Sequence, residues 1–232
     1  MTRPEGAQGA QGAKGAKGVI RRFTAAEHWV HRTTSALMLV CLATAAMLYL
    51  PALAEIVGRR RLVVTVHEWA GIMLPVPALA GLASRAFRRD LKLLNRFADH
   101  DWSWLRDALR RRPEELRLSG KFNAGQKLYA SFSAGAALVM VGTGLIMWFP
   151  HLTAVVWRTG ATFVHDWLAL AIAAAVIGHI WMAARDPEAR LGMRTGRVSR
   201  AWARRHHPKW DPDAEARAED SEVQDQPRTP AA

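Results

Sequence analysis

The chain has 232 residues, half of them hydrophobic, and a formal net charge of +12, a length that suits one domain or two small ones. The average conceals a segregation, for the apolar residues gather into four blocks of roughly 20, enough helix to cover the ~30 Å hydrocarbon of a bilayer, while Lys and Arg lie almost wholly between and outside them. Charge placed in this way reports orientation in a membrane rather than phosphate neutralisation on a nucleic acid, and a single cysteine, Cys41, excludes an intrachain disulfide and a cysteine-ligated zinc or iron–sulfur centre.

In chain order, residues 1–20 form a low-complexity Gly, Ala, Gln and Lys tract without the apolar core of a secretory signal, read as a disordered cytoplasmic tail. The first span covers about 28–50. It carries no charge from Ser35 to Leu50 and closes at Pro51. A short connection holding Arg59, Arg60 and Arg61 leads to the second span, about 63–83, where Pro75 and Pro77 predict a kink.

Residues 84–127 are a polar loop with about a dozen Lys and Arg, in which the spacing predicts a short amphipathic helix around Trp102 to Leu109. Its tryptophans, Trp102 and Trp104, suit the membrane interface. The third span, about 128–149, ends at Pro150, and Gly135, Gly142 and Gly144 give it a small-residue side for close packing. The fourth covers about 161–184. Residues 186–232 are a polar tail, basic to about Lys209 and then acidic and proline-containing, a composition that favours disorder or docking onto a partner.

The 84–127 loop and both tails are Arg-rich, whereas the connection between the third and fourth spans carries only Arg158. The positive-inside rule therefore predicts an all-α, integral membrane four-helix bundle with both termini cytoplasmic, a multi-pass protein of the cell (inner) membrane.

Of nine histidines, His28, His31, His67, His165 and His179 fall in or at the ends of spans. Ionisable side chains are costly in hydrocarbon, face the bundle interior and mark function. His165 and His179 are 14 residues apart on one helix, which returns them to nearly the same face and separates them by about 21 Å. With alternating helix directions, His67 matches His165 in depth, and His31 or His28 matches His179. Two histidine pairs at two levels are what two bis-histidine haems stacked across a membrane require, since haem iron takes two axial ligands and imidazole is a usual one. A single such histidine reads as a helix–helix hydrogen-bonding residue; four at paired depths do not. Gly71 and Gly178 would let a flat macrocycle approach the backbone. His28 and His151 read as interfacial, and His100, His206 and His207 as solvated. With no Cys-x-x-Cys-His in the chain, the haems are expected to be non-covalent.

The stretch GKFNAGQK at 120–127, immediately before a span ending MWFP at 147–150, together with RFTAAEHWVH at 22–31, His67 followed by Gly71, and GHIWMA at 178–183, resembles the cytochrome b (gamma) subunit of membrane-bound formate dehydrogenases over about residues 21–185. The resemblance implies four helices binding two b haems, partnered by an iron–sulfur electron-transfer subunit and a separate catalytic formate dehydrogenase subunit, with a membrane quinone, menaquinone or ubiquinone, as electron acceptor. Residue by residue, it implies that His31 and His179 hold the iron of the cytoplasmic-side haem and His67 and His165 that of the other. The family's first ligand follows a Glu by four positions, which here selects His31 after Glu27. It further implies that Asn123, Gly125 and Gln126 form the quinone pocket, where a carbonyl gaining electrons and protons needs donors and close backbone approach; the reading in which Asn123 and Gly125 only shape the turn into the third helix stands beside it. The rival functions are the same architecture serving a hydrogenase, thiosulfate reductase or other molybdenum oxidoreductase, and a non-redox membrane transporter or scaffold.

Overall fold

The computed structural model describes residues 18 to 215 and residue 217, so the predicted N-terminal tail up to residue 17 and the end of the C-terminal tail lie outside the described residues. Helix α1 spans Ala25–Tyr49, and a short α2 (Pro51–Val57) turns the chain into α3 (Arg60–Met73) and α4 (Val76–Gly81). The polar loop contributes α5 (Arg85–Leu94), α6 (Asp99–Leu109) and a 3-10 turn at Glu114–Leu116. Then come α7 (Ala124–Trp148), α8 (Val155–Arg185), α9 (Pro187–Thr195) and α10 (Arg200–His206), with two three-residue strands, β1 (Val19–Arg21) and β2 (Arg197–Ser199).

Four helical segments are long and apolar enough to cross a membrane: α1, the α3–α4 unit from Arg60 to Gly81, α7 and α8. Each packs on the next, α3 also meets α7, and α1 meets α8, closing an up-down-up-down bundle. Their outward faces expose large apolar side chains such as Leu39, Leu79, Leu138, Trp167 and Ile177, the inversion of a soluble fold that lipid as solvent demands. The second span breaks between Met73 and Val76. Pro75 and Pro77 supply no N–H, and the Leu74 N–H turns back to the Gly71 carbonyl, 3.2 Å, which is the predicted kink.

An even number of crossings puts both ends of the described chain on one side, here called the terminal end. The C-terminal segment does not hang free there. It folds back so that β2 pairs antiparallel with β1, Val19 opposite Ser199 and Arg21 opposite Arg197, and Ile20, Val198, Trp202 and Ala203 form a small apolar core. Gly196 ends α9 in the left-handed region, φ 79°, and its carbonyl accepts from the Arg22 N–H at 2.7 Å. A Cβ at Gly196 would stand 2.5 Å from the Phe23 carbonyl oxygen, so the closure requires glycine.

Beneath this cap lies an ionic layer. Lys121 reaches Asp90 and Glu215, both at 2.7 Å, and Lys127 reaches Asp101 at 2.6 Å. These residues pin the polar loop to the start of α7. Asp90 also turns a bare oxygen, as Glu27 does, and no hydrogen-bond partner satisfies either. Burial, with the neighbouring Glu27 adding to it, pushes the Asp90 carboxyl up to about 8. Burial opposes the charge on Lys121, but Asp90 and Glu215 more than offset it and raise its pKa.

Candidate functional site

α1 begins with a capping box in which Glu27 accepts from the Thr24 N–H at 2.5 Å. The helix that follows carries His28 and His31 to the terminal end of the bundle, and the two have different surroundings. The His31 ring lies 6.4 Å from that of His179 on α8. The His28 Nε2 instead contacts the Gly192 carbonyl oxygen at 3.2 Å, and its ring packs edge-on against Phe23. His28 therefore ties α1 to the C-terminal cap, and His31 is the residue that faces His179.

At the far end, His67 on α3 and His165 on α8 bring their rings to 6.1 Å. The spacing within both pairs suits a shared metal, since two imidazoles that ligate one metal from opposite sides through bonds of about 2 Å hold their centroids roughly 6 Å apart. Added Cβ atoms at Gly71 and Gly178 would meet nothing within 4 Å, so protein packing does not require glycine at either position. The residues present fit an iron porphyrin at each level, where His31 and His179 would hold one and His67 and His165 the other. A cavity of about 250 Å³ lies elsewhere, under the cap between β1, Glu27, Lys121, Arg200 and Glu215.

The His67 Nδ1 is 2.8 Å from the Thr44 hydroxyl, and the His165 Nδ1 is 2.9 Å from the Thr143 hydroxyl. Neither threonine was singled out in the sequence, although a signal for them exists. The chain repeats itself: Phe23-Thr24-Ala25-Ala26-Glu27 and Phe122-Asn123-Ala124-Gly125-Gln126 each open a 25-residue helix with a capping box. Thr44 and Thr143 are each the twentieth residue of their helix, and His67-Glu68-Trp69 is matched by His165-Asp166-Trp167. The far-end pair respects this repeat. The terminal-end pair does not, because the positions that match His31 and His179 are Ala130 and Gly81. His179 stacks instead on Tyr129, with ring centroids 4.8 Å apart and planes within 12°.

The GKFNAGQK segment is accounted for residue by residue. Asn123 caps α7 by accepting from the Gln126 N–H at 2.9 Å, and Gln126 returns the bond from the Asn123 N–H at 3.0 Å. Both bonds use amide oxygens and leave the NH2 groups as donors. A Cβ on Gly125 would stand 3.2 Å from the Trp104 ring, and Ala124 is fully buried.

A family model described as prokaryotic cytochrome b561 matches residues 22–195, three-quarters of the chain. The chain belongs to that family. The cytochrome is similar to the nitrate-inducible formate dehydrogenase cytochrome b556(Fdn) subunit of Escherichia coli K12, 32% identical over 109 residues, which are 44% of this chain and 50% of that protein. It is 27% identical over 164 residues to the formate dehydrogenase cytochrome b556 subunit of Haemophilus influenzae, 68% of this chain and 66% of the relative. With the E. coli K12 formate dehydrogenase cytochrome b556(fdo) subunit it shares 25% identity over 199 residues, 82% and 91% of the two chains. The match to the first of these spans about half of that relative's length. Membership makes the cytochrome a multi-pass membrane protein that binds haem b.

Proposed function

We propose that this cytochrome is the diheme, quinone-reacting membrane subunit of a formate dehydrogenase complex, with its termini in the cytoplasm. The two histidine pairs, 6.4 and 6.1 Å between rings and at two levels of one bundle, carry the reading; the names of the relatives supply the enzyme. In this reading His31 and His179 hold the haem near the cytoplasm and His67 and His165 the haem near the opposite face. Haem supplies one-electron transfer in a site from which the bundle excludes water.

The chain's own work is to fix the imidazoles and to offer quinone a place at the terminal end. The NH2 groups of Asn123 and Gln126, not consumed by capping, are donors for a quinone carbonyl, and Gly125 lets the Trp104 ring close against the backbone beside them. An iron–sulfur subunit would dock at the far end, where α2 and the Arg59–Arg61 run lie, and formate would be oxidised in a separate catalytic subunit.

The test is haem quantification with a reduced-minus-oxidised spectrum on the purified chain, where two b haems are expected and zero or one overturns the four-ligand assignment. His31→Ala should lose one haem and His28→Ala none. For the quinone, Asn123→Asp keeps the capping oxygen and removes the donor; it should slow quinone-dependent reoxidation several-fold with both spectra intact, and a wild-type rate at limiting quinone removes the pocket from this loop.

A further inference from the structure

Threonines that bond back to the carbonyl one turn earlier are common in membrane helices, and Thr33, Thr65, Thr159 and Thr162 do so here. Thr44 and Thr143 make that bond too, to the Val40 and Val139 carbonyl oxygens, both at 2.7 Å. They differ in also meeting a histidine Nδ1 across the bundle.

A hydroxyl has one hydrogen, and a carbonyl oxygen can only accept. With that hydrogen on Val40 or Val139, the threonine oxygen is free to accept, so the proton between it and the ring sits on Nδ1. This leaves each Nε2 bare, as a metal ligand must be.

We propose that Thr44 and Thr143 are positioning residues that lock the tautomer of His67 and His165 and make them the more electron-donating of the two axial pairs. The inference rests on the ligand assignment above. An imidazole that donates its second N–H becomes a more basic ligand, and a more basic ligand favours the ferric state, which lowers the reduction potential. Among the described residues, His31 and His179 make no hydrogen bond of this kind. The far-end haem is therefore the weaker oxidant and the terminal-end haem the stronger, so the hydroxyls set a downhill direction across the membrane toward the Asn123 loop.

The repeat supports the assignment independently. The two threonines occupy matched positions in two copies of one hairpin, and so do the two histidines they touch, which is how a site on the axis between the copies acquires the same support on both sides.

The experiment is an optical redox titration of the purified, haem-loaded full chain and of its Thr44→Val, Thr143→Val, double-valine, Thr44→Ser and Thr143→Ser variants. Valine keeps the shape and removes the hydroxyl; serine keeps the hydroxyl. The lower-potential component should move upward in each valine variant and furthest in the double, the higher component should stay, and serine should restore the wild-type value. If a valine variant binds the far-end haem too weakly to titrate, a loss of roughly 10–100-fold in haem affinity that serine reverses supports the same conclusion. Unmoved potentials in the double-valine variant with two haems retained overturn it, as does an equal effect of serine and valine. His67→Ala and His165→Ala keep the two readings apart. Should either variant retain both haems, the ligand assignment itself is wrong, whereas a null result at threonine with one haem lost at histidine removes only the threonine role.

Discussion

His207 illustrates how much a single side chain can carry outside the membrane. Its Nδ1 donates to the Gly120 carbonyl at 2.7 Å, its Nε2 accepts from the Arg22 guanidinium at 3.1 Å, and it is buried. The neutral ring is thus satisfied on both sides, and a second proton would face a cation. Burial, with Arg22 adding to it, lowers the pKa to about 3. An unfolded His207 takes its proton near 6.5, so the stability it contributes is complete above that pH and is lost as pH falls from 6.5 toward 3. The cap should weaken by about 2 kcal/mol at pH 5. Hydrogen exchange, corrected for intrinsic rate, should therefore quicken over residues 197–210 between pH 7.5 and 5, and His207→Gln should abolish the difference. Equal protection at both pH values would contradict this account.

At the scale of elements, the crossing of the first and second spans depends on one small residue. A Cβ at Gly81, the last residue of α4, would stand 2.7 Å from a Val30 methyl and 3.0 Å from the Phe87 ring. Neither is the end of a flexible chain, so Gly81→Ala has to separate α4 from α1, an overpacking cost of about 1–3 kcal/mol. Val30 adjoins His31, and the separation falls on the terminal-end histidine pair. In a detergent melt followed at the haem absorbance, Gly81→Ala should release the terminal-end haem at a lower temperature than wild type and leave the far-end component unchanged. Release of both together would mean that the bundle responds as one unit.

The whole molecule divides into a bundle that faces lipid and a cap that faces water, and different forces hold the two. The bundle rests on helix packing and on its buried polar pairs, because lipid offers no hydrophobic drive between helices. The cap rests on a small core around Trp202 and on Arg22, whose guanidinium lies 4.7 Å from the Trp202 ring centroid and donates to the Lys121 carbonyl at 2.9 Å. Burial lowers the Arg22 pKa to about 10 against the pull of Asp90, Asp186 and Glu215. Trp202→Ala removes the centre of that core at a cost of about 3–5 kcal/mol. It should open residues 186–215 to limited proteolysis while the far-end haem keeps its spectrum, and protease resistance equal to wild type would show that the cap is held by its ion pairs alone.

Four spans, their alternating direction, the proline kink and the depths of His67, His165 and His179 were legible in the amino-acid sequence, because hydropathy and helical period are properties of consecutive residues. The predicted span starts at 28, 63, 128 and 161 followed the apolar residues; the helices begin at 25, 60, 124 and 155, since a helix starts at its cap. Helical spacing alone left His28 and His31 one turn apart on the same helix; the family resemblance selected His31 after Glu27, and the structure sets His31 against His179 and His28 against Gly192. The pairing of Lys121 with Asp90, the return of residues 197–199 to strand β1, and the meeting of Thr44 with His67 join positions from 23 to 180 residues apart. Which of two chemically suitable partners meets depends on which elements are neighbours, and packing in three dimensions decides that.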